Sequence, residues 1–321
     1  MLRTRKRNRW QTRQRTRQRK KKRGGGKGRT ARKTRYTHRS RTHTSADTCD
    51  PATPRESPYT CFTLPQLREL RDSWNARHPD VMITAQSKRD IWKALHANNK
   101  NSCDRESCWM SQEFAKHKVA DNEWKHVFAP KAPDSWKRNP IEWLTSTDIT
   151  SVMKRYELKY PGFEFIGPAP IDFDSPDTKT KTCVWEELCD FSVADCIERE
   201  KHQIGIVFNT DPHYKPGSHW IAMFVDLKKQ FIYFFDSNGD PCPKQITVLR
   251  ERIQSQADKA GKSLEYKSNV GTAHQQKNTE CGMYCLYFIS SLLTGKHGVE
   301  TFTSKKFRDH TMVQHRQVFF S

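Results

Sequence analysis

Apolar runs in the second half of the chain predict a sheet. Residues 204–209, 219–227 and 230–236 are rich in β-branched and aromatic side chains, and a weaker run lies around 264–270. Apolar residues three or four positions apart predict helices elsewhere. These predicted helices cover about 64–74, 87–95, 147–160, 184–197, 244–260, 281–293 and 304–320. Because neighbouring strands lie among helices, the pattern indicates the α+β class.

Cap and turn residues set the limits of some of these elements. Ser146 or Thr147 is expected to cap the helix that Pro161 ends. Residues 167–176 are rich in glycine and proline, and we expect them to form turns rather than a strand.

The charge of the chain is concentrated at its N-terminus. Residues 1–46 hold 20 Lys or Arg and no Asp or Glu, so the other 37 basic residues face 36 acidic ones. A segment with so much like charge and so little to bury is expected to be disordered and to bind nucleic acid. We therefore predict a disordered basic arm over 1–48, a small helical module over 49–128 and a nearly neutral domain over 129–321.

The cysteine content predicts mostly reduced thiols. Ten cysteines in 321 residues are too sparse for a disulfide scaffold, and no secretory apolar segment is found at the N-terminus. The spacing of Cys49, Cys61, Cys103 and Cys108 is too loose to favour a zinc site, so buried thiols are expected there. We predict no metal, no cofactor and no membrane association, because no apolar run approaches the roughly 20 residues that cross a bilayer.

Three polar residues mark the ends of predicted apolar elements. His219 opens one strand, Asp236 closes the next, and Cys281 opens an apolar helix. In an antiparallel pair of strands, the first two lie at the same edge. A thiol nucleophile needs a histidine that takes and returns its proton and a carboxylate that orients the histidine. Since the start of a helix also favours a thiolate, the pattern predicts a cysteine protease.

Residues beside these three have expected supporting roles. A side-chain amide from Gln275 or Gln276 is expected to stabilise the oxyanion. Gly282 would let a substrate approach the backbone without meeting a Cβ, and Trp220 would form a platform beside the histidine. Cys285 is expected to be a core residue.

The same segments resemble the ubiquitin-like-protein-specific (SUMO) protease and adenovirus-proteinase superfamily of cysteine proteases. They are His-Trp at 219–220, a strand followed by Asp-Ser at 236–237, and Gln-x5-Cys-Gly at 275–282. Residues 139–149, where Trp-Leu precedes Asp-Ile, resemble the segment that leads into a helix of that fold. The amino-acid sequences of these segments are similar to those of superfamily members encoded by large nucleocytoplasmic DNA viruses.

This resemblance extends over about 139–290; it is weaker over 59–128 and absent from the arm. It implies a papain-like-superfamily core, in which a mixed sheet is flanked by helices and the nucleophile lies at a helix N-terminus. No cofactor is implied.

Residue by residue, the resemblance implies that Cys281 is the nucleophile, His219 the general base and acid, and Asp236 the orienting carboxylate. The six-residue spacing favours Gln275 as the oxyanion donor, with Gln276 as the alternative. It also implies that Trp143 and Trp220 flank a narrow substrate channel.

The expected function is that of a thiol endopeptidase cutting after small residues, of Gly-Gly-X or Gly-X type. We expect it to process viral structural precursors during particle maturation, in the virion and the host cytoplasm. The basic arm would also allow import into the nucleus. One alternative is removal of ubiquitin or a ubiquitin-like modifier from host proteins. A second is a non-catalytic, nucleic-acid-associated virion protein, and some relatives with the same residues transfer acetyl groups.

Overall fold

A five-stranded mixed sheet organises the larger part of the chain. The computed structural model describes residues 47–120, 122–176 and 182–321. The strands are β1 Phe163–Pro170, β2 Gln203–Asn209, β3 Trp220–Asp226, β4 Phe231–Phe235 and β5 Glu265–Ser268. Their order in the sheet is their order in the chain. The three central strands are antiparallel, whereas β1 and β5 pair in parallel with β2 and β4.

Helices cover the sheet and build the N-terminal module. The α-helices are α1 Leu64–Arg77, α2 Lys88–Asn99, α3 Glu106–Trp109, α4 Asn122–Lys125, α5 Ser146–Lys159, α6 Glu186–Cys189, α7 Val193–Glu198, α8 Lys244–Lys259, α9 Cys281–Leu293, α10 Thr301–Ser304 and α11 Asp309–Phe319. Short 3-10 helices lie at Lys116–Ala120 and Asp134–Lys137.

Both faces of the sheet are covered. Successive side chains of a strand point to opposite faces, so Ala222 and Phe224 of β3 pack in a cluster with α5, α9 and α11. On the other face, Ile221, Met223 and Val225 pack in a cluster with α6, α7 and α8. Every residue of α9 is buried. The helix that begins at Cys281 therefore lies rigidly against the sheet.

A third apolar cluster lies in the N-terminal module. It is built around α1, α2 and aromatic side chains such as Phe62 and Trp109, both fully buried. The module is joined to the rest by the Tyr156 hydroxyl, which donates to the carbonyl of Pro51 over 3.0 Å. A division of the chain at 128 and 129 stays a prediction, and residues 1–46 of the predicted arm lie outside the described residues.

The α+β class is confirmed, and α9 has the predicted limits. The helix cap predicted at Ser146 or Thr147 is wrong by one or two residues. Thr145 is the N-cap, and it exchanges hydrogen bonds with Asp148 in a capping box.

Strand β1 was not predicted, because its glycine and prolines were interpreted as turn residues. It lies at the edge of the sheet and pairs only with β2. The missing N–H of a proline therefore costs no hydrogen bond on the outer side of the strand. The pairing with β2 also shifts register between Ile166 and Ala169, around Pro168. The turn prediction for 167–176 is therefore wrong over its first four residues.

Two predicted helices have different limits in the structure. The helix over 184–197 is interrupted because Ser192 accepts a hydrogen bond from the backbone of Asp195 and so caps a second helix. The helix predicted over 304–320 begins only at Asp309, because Lys305 is extended and Phe307 enters the core before α11 begins.

The prediction of mostly reduced thiols is wrong. Disulfides join Cys49 to Cys61, Cys103 to Cys108 and Cys183 to Cys189. The four module cysteines are thus neither buried thiols nor a zinc site. Among the described residues, the free cysteines are Cys196, Cys242, Cys281 and Cys285. In that same part of the chain, no helix is long and apolar enough to span a membrane.

Candidate active site

The hairpin of β3 and β4 brings His219 and Asp236 together. His219 directly precedes β3 and Asp236 directly follows β4, so the antiparallel pairing places both at one edge of the sheet. His219 Nε2 lies 2.7 Å from Asp236 Oδ1. The side chains are 16% and 6% exposed, so water competes little for this hydrogen bond.

Asp236 is itself fixed by its neighbours. Its backbone N–H donates to Asn269 Oδ1 over 3.0 Å, and Asn269 Nδ2 donates to the Asp236 carbonyl over 2.6 Å. The Asn238 backbone N–H donates to Asp236 Oδ1 over 2.8 Å. Sequence reasoning missed Asn269. Its only signal is a polar residue directly after a short strand, which many turns share.

Cys281 is the first residue of α9 and its thiol is free and buried. The preceding residue, Glu280, makes no capping hydrogen bond from its side chain to any N–H of the described helix. The first N–H groups of α9 are therefore not used by a side-chain cap, and they favour negative charge at this point. Cys285, one turn later, is fully buried as predicted, and burial raises its pKa well above the usual value.

His219 is hydrogen-bonded to Asp236, and Cys281 is the other ionisable side chain that influences its pKa. Burial alone would lower the pKa of His219, but the hydrogen bond to Asp236 and the interactions with Asp236 and Cys281 outweigh burial and raise the pKa to about 10. Since Nε2 faces Asp236, Nδ1 is the ring nitrogen left for the thiol. The structure thus brings His219, Asp236 and Cys281 into one array, in which an imidazolium is stabilised between a carboxylate and a sulfur.

The two candidate glutamines differ in their surroundings. Gln275 is half-buried, and its Oε1 accepts a hydrogen bond of 2.8 Å from the Ser237 hydroxyl. This bond leaves the amide Nε2 of Gln275 as a donor. Gln276 is exposed, and its backbone N–H donates to Asp309. Of the two, Gln275 is the one whose side chain is oriented by the turn that follows β4.

A polar cleft of about 330 Å³ borders His219 and both glutamines. It is lined by Ser218, His219, Asn238, Gln275, Gln276, Lys277 and Asn278. The cleft gives the histidine side of the array a solvent-facing surface large enough for part of a polypeptide.

Trp143 and Trp220 lie on the segments predicted to flank the substrate. Trp220 is half-buried, and its indole N–H donates to the Leu144 carbonyl over 2.9 Å. Trp143, which precedes Leu144, is 36% exposed. The hydrogen bond therefore ties the Trp143 segment to the strand that begins beside His219.

Gly282 is needed for a different reason from the one expected. A Cβ at this position would lie 3.0 Å from Leu144 Cβ, a clash with a buried side chain rather than with the cleft. The missing side chain lets the start of α9 pack against the Trp143 segment. Cys281 and that segment are thus held close together through Leu144.

Comparison with known proteins identifies the enzyme class. Residues 198–319, which include the hairpin, both glutamines and α9, match the model of the Ulp1 protease family, C-terminal catalytic domain. These residues are therefore similar to the catalytic domain of Ulp1-family cysteine proteases. The chain is therefore a cysteine protease, and the non-catalytic alternative is wrong.

Similar proteins occur in large DNA viruses. A protein of Acanthamoeba polyphaga mimivirus that carries the name of a thiol protease is 29% identical over 265 residues, covering 77% of this chain and 85% of the relative. A cysteine protease of African swine fever virus is 27% identical over 253 residues, covering 75% and 91%. A crystal structure of the African swine fever virus protease shares the fold, with a TM-score of 0.59 at 21% identity over 86% of this chain and 97% of the other.

Proposed function

We propose that this Ulp1-family protease is an endopeptidase in which Cys281 is the nucleophile, His219 the general base and acid, and Asp236 the orienting carboxylate. The observation that carries the proposal is the position of His219 between a buried carboxylate and a buried thiol at an uncapped helix start. Each of the three positions is fixed by a different element, β3, β4 or α9. A cysteine, histidine and aspartate so arranged perform acyl transfer through sulfur.

In the first step, the thiolate of Cys281 attacks the carbonyl carbon of the scissile bond. A C–S bond forms, and the electron pair of the C=O double bond moves to oxygen. The His219 imidazolium then gives its proton to the leaving amine as the C–N bond breaks. In the second step, neutral His219 takes a proton from water, the hydroxide attacks the thioester, and the C–S bond breaks to return the thiolate.

The oxyanion of both steps is proposed to receive hydrogen bonds from Gln275 Nε2 and the backbone N–H of Cys281. The Ser237 hydroxyl supports this role because it holds the Gln275 carbonyl oxygen and so fixes the direction of the amide. Gln276 has no such orienting contact for its side chain among the described residues. Donors fixed before the reaction stabilise the developing charge without reorganising.

The region around Leu144 supports a proposed preference for small residues before the cut bond. Trp220 is held to Leu144 by its indole N–H, and Leu144 packs on the helix turn that carries Cys281. We propose that the substrate chain passes between Trp143 and Trp220 on its way to the thiol. Two indoles on either side of an extended chain would favour glycine over a branched side chain.

The proposed substrates are viral structural precursors with Gly-Gly-X or Gly-X sites, processed in the virion and the host cytoplasm. Support comes from the similar proteases of mimivirus and African swine fever virus. Other isolates of the latter carry a protein named SUMO-1 cysteine protease, which keeps modifier removal as the second candidate. The 20 basic residues of 1–46 are proposed to bind nucleic acid and concentrate the enzyme near packaged precursors, a role that deletion of 1–46 tests.

Two kinds of probe separate these candidates. The first is a set of unstructured peptides with a Gly-Gly-Ala site, each paired with a control in which Leu-Leu replaces Gly-Gly. The second is ubiquitin and SUMO carrying a C-terminal vinyl sulfone, which captures the nucleophile of a deconjugating enzyme. We expect cleavage of the Gly-Gly peptides and little adduct with the probes. Rapid adduct formation without peptide cleavage would favour modifier removal.

A further inference from the structure

A buried ion pair lies directly beside the nucleophile. Arg316 of α11 donates from Nε to Glu280 Oε2 over 2.9 Å and from Nη2 to Glu280 Oε1 over 3.1 Å. The side chains of Arg316 and Glu280 are only 4% and 1% exposed. Glu280 is the residue before Cys281, so α11 holds the backbone that enters the nucleophile helix.

The same guanidinium reaches the substrate-flanking segment. Arg316 Nη2 also donates to the backbone carbonyl of Glu142 over 2.7 Å, one residue before Trp143. Its Cζ lies 4.5 Å from the ring centre of Trp136, which restricts the position of the guanidinium. One side chain therefore joins the start of the Trp143 segment to the residue that precedes the thiol.

Stability alone gives a weak reason for this arrangement. A buried ion pair can often be replaced by apolar residues of similar volume with no loss of stability, because desolvation offsets the attraction between the charges. Glu280 could instead have capped α9, but its carboxylate turns away to Arg316. What the pair provides is a bidentate contact of fixed geometry at one residue from the nucleophile.

We propose that Arg316 is a positioning residue, which sets the place of Cys281 relative to His219 and the Trp143 segment by holding Glu280 and the Glu142 carbonyl. The proposal rests on the role of Cys281 given above. A peptide bond is planar, so a shift of Glu280 moves the backbone of Cys281 with it. Misplacement of a reacting group by about 1 Å costs on the order of a hundredfold in rate.

The experiment replaces the pair as a whole. In the double variant Glu280→Met/Arg316→Met, apolar side chains of similar length fill the space, and no buried charge is left without a partner. A second variant, Arg316→Lys, keeps the positive charge. Its single ammonium nitrogen cannot reproduce the geometry in which the guanidinium donates to three acceptor oxygens. The control is Arg199→Met, which removes an equally bidentate but more exposed pair with Glu164 on β1, away from Cys281.

Three quantities are measured on the full chain with a Gly-Gly peptide: the thermal midpoint, kcat and KM separately, and the rate of Cys281 alkylation by iodoacetamide across pH. We expect the double variant to fold, to lose about 10- to 100-fold in kcat, and to alkylate with a displaced pH profile. Arg316→Lys should show a smaller loss of the same kind. Arg199→Met should match the wild type in all three.

Two outcomes overturn the proposal. One is a folded double variant with the kcat and alkylation profile of the wild type. The other is failure of both the double variant and Arg316→Lys to fold, which would make the pair a structural element. The role of Cys281 is judged separately: if the wild type does not cleave, or if Cys281→Ala still does, the proposed function fails whatever Arg316 does.

Discussion

The module of residues 47–128 and helix α9 use cysteine in opposite ways. In the module, Cys49, Cys61, Cys103 and Cys108 are all tied in disulfides. In α9, Cys281 and Cys285 are free, although every residue around them is buried. The apolar cluster of the module is smaller than the cluster around α9, which packs against a five-stranded sheet. In the module, disulfides therefore add stability where the small core buries less apolar surface.

The difference also separates two uses of buried side chains. Both regions bury aromatic residues that contact one another, such as Phe62 and Trp109 in the module, where buried Glu106 accepts hydrogen bonds from uncharged donors. The protease region buries a charged pair, Glu280 and Arg316, and a titratable pair, His219 and Asp236. Buried charge is costly without a partner, so its presence at one end of α9 marks where function constrains the fold.

Replacement of the nucleophile should give the largest effect and sharpen this contrast. Cys281→Ala should reduce kcat on the order of 10⁶-fold, as loss of a nucleophile does in other triads, with the thermal midpoint close to that of the wild type. Iodoacetamide at mildly acidic pH should modify Cys281 before the other free thiols, and mass spectrometry identifies the site. Equal labelling of Cys281 and the half-exposed Cys242 would contradict an activated thiol.

The two glutamines offer a matched test of the oxyanion donor. Gln275→Ala should lower kcat by about 10²–10³-fold with little change in KM, because the lost hydrogen bond forms mainly in the transition state. Gln276→Ala removes the same atoms from an exposed neighbour and should leave kcat close to that of the wild type. Steady-state kinetics on one Gly-Gly peptide measures both. The reverse order of effects would assign the donor to Gln276.

Much of the protease region could be predicted from the sequence because its signals are local. Apolar runs located β2, β3 and β4, and the limits of α9 were predicted without error. His219 and Asp236 could be paired because the hairpin between β3 and β4 is short, so one register fixes both positions.

Some of the parts that were missed depend on contacts between distant residues. Arg316 and Glu280 are 36 residues apart, and nothing in the local pattern around either one indicates a buried pair. The disulfides of the module were missed for a different reason: their cysteines are only 12 and 5 positions apart, but sparse cysteines without a secretory segment indicated reduced thiols. Strand β1 can contain prolines because it lies at the edge of the sheet and pairs with a neighbour on one side only.

Removal of the Asp236 charge should change kcat/KM less at neutral pH than Cys281→Ala and Gln275→Ala do. It should clearly change the dependence of kcat/KM on pH. In the wild type, Asp236 helps to raise the His219 pKa to about 10, so the protonated imidazole persists into alkaline solution. Asp236→Asn keeps the shape and removes the charge, and the alkaline limb of kcat/KM should move down by about 1–3 pH units. An unchanged alkaline limb would mean that another group governs it.

The same shift makes a prediction about stability. The folded pKa of His219 lies above its usual value of 6.5, so its contribution to the free energy of unfolding is fully present below pH 6.5. That contribution is lost as the pH rises from 6.5 towards about 10. Denaturant unfolding at several pH values should show a steeper loss over this range in the wild type than in Asp236→Asn.

The module should give the smallest effect on catalysis, which is the direct test of the contrast between the two regions. Cys49→Ser/Cys61→Ser should lower the free energy of unfolding by about 2–4 kcal/mol, because a loop spanning 12 positions is no longer closed. At 25 °C, kcat/KM on a short peptide should stay close to that of the wild type, since no described module residue lines the cleft beside His219. Cys242→Ser, at a free cysteine of the protease region, is the control and should change neither quantity. The opposite result, a large fall in kcat/KM with an unchanged unfolding midpoint, would give the module a part in catalysis, because activity would then be lost without a loss of stability.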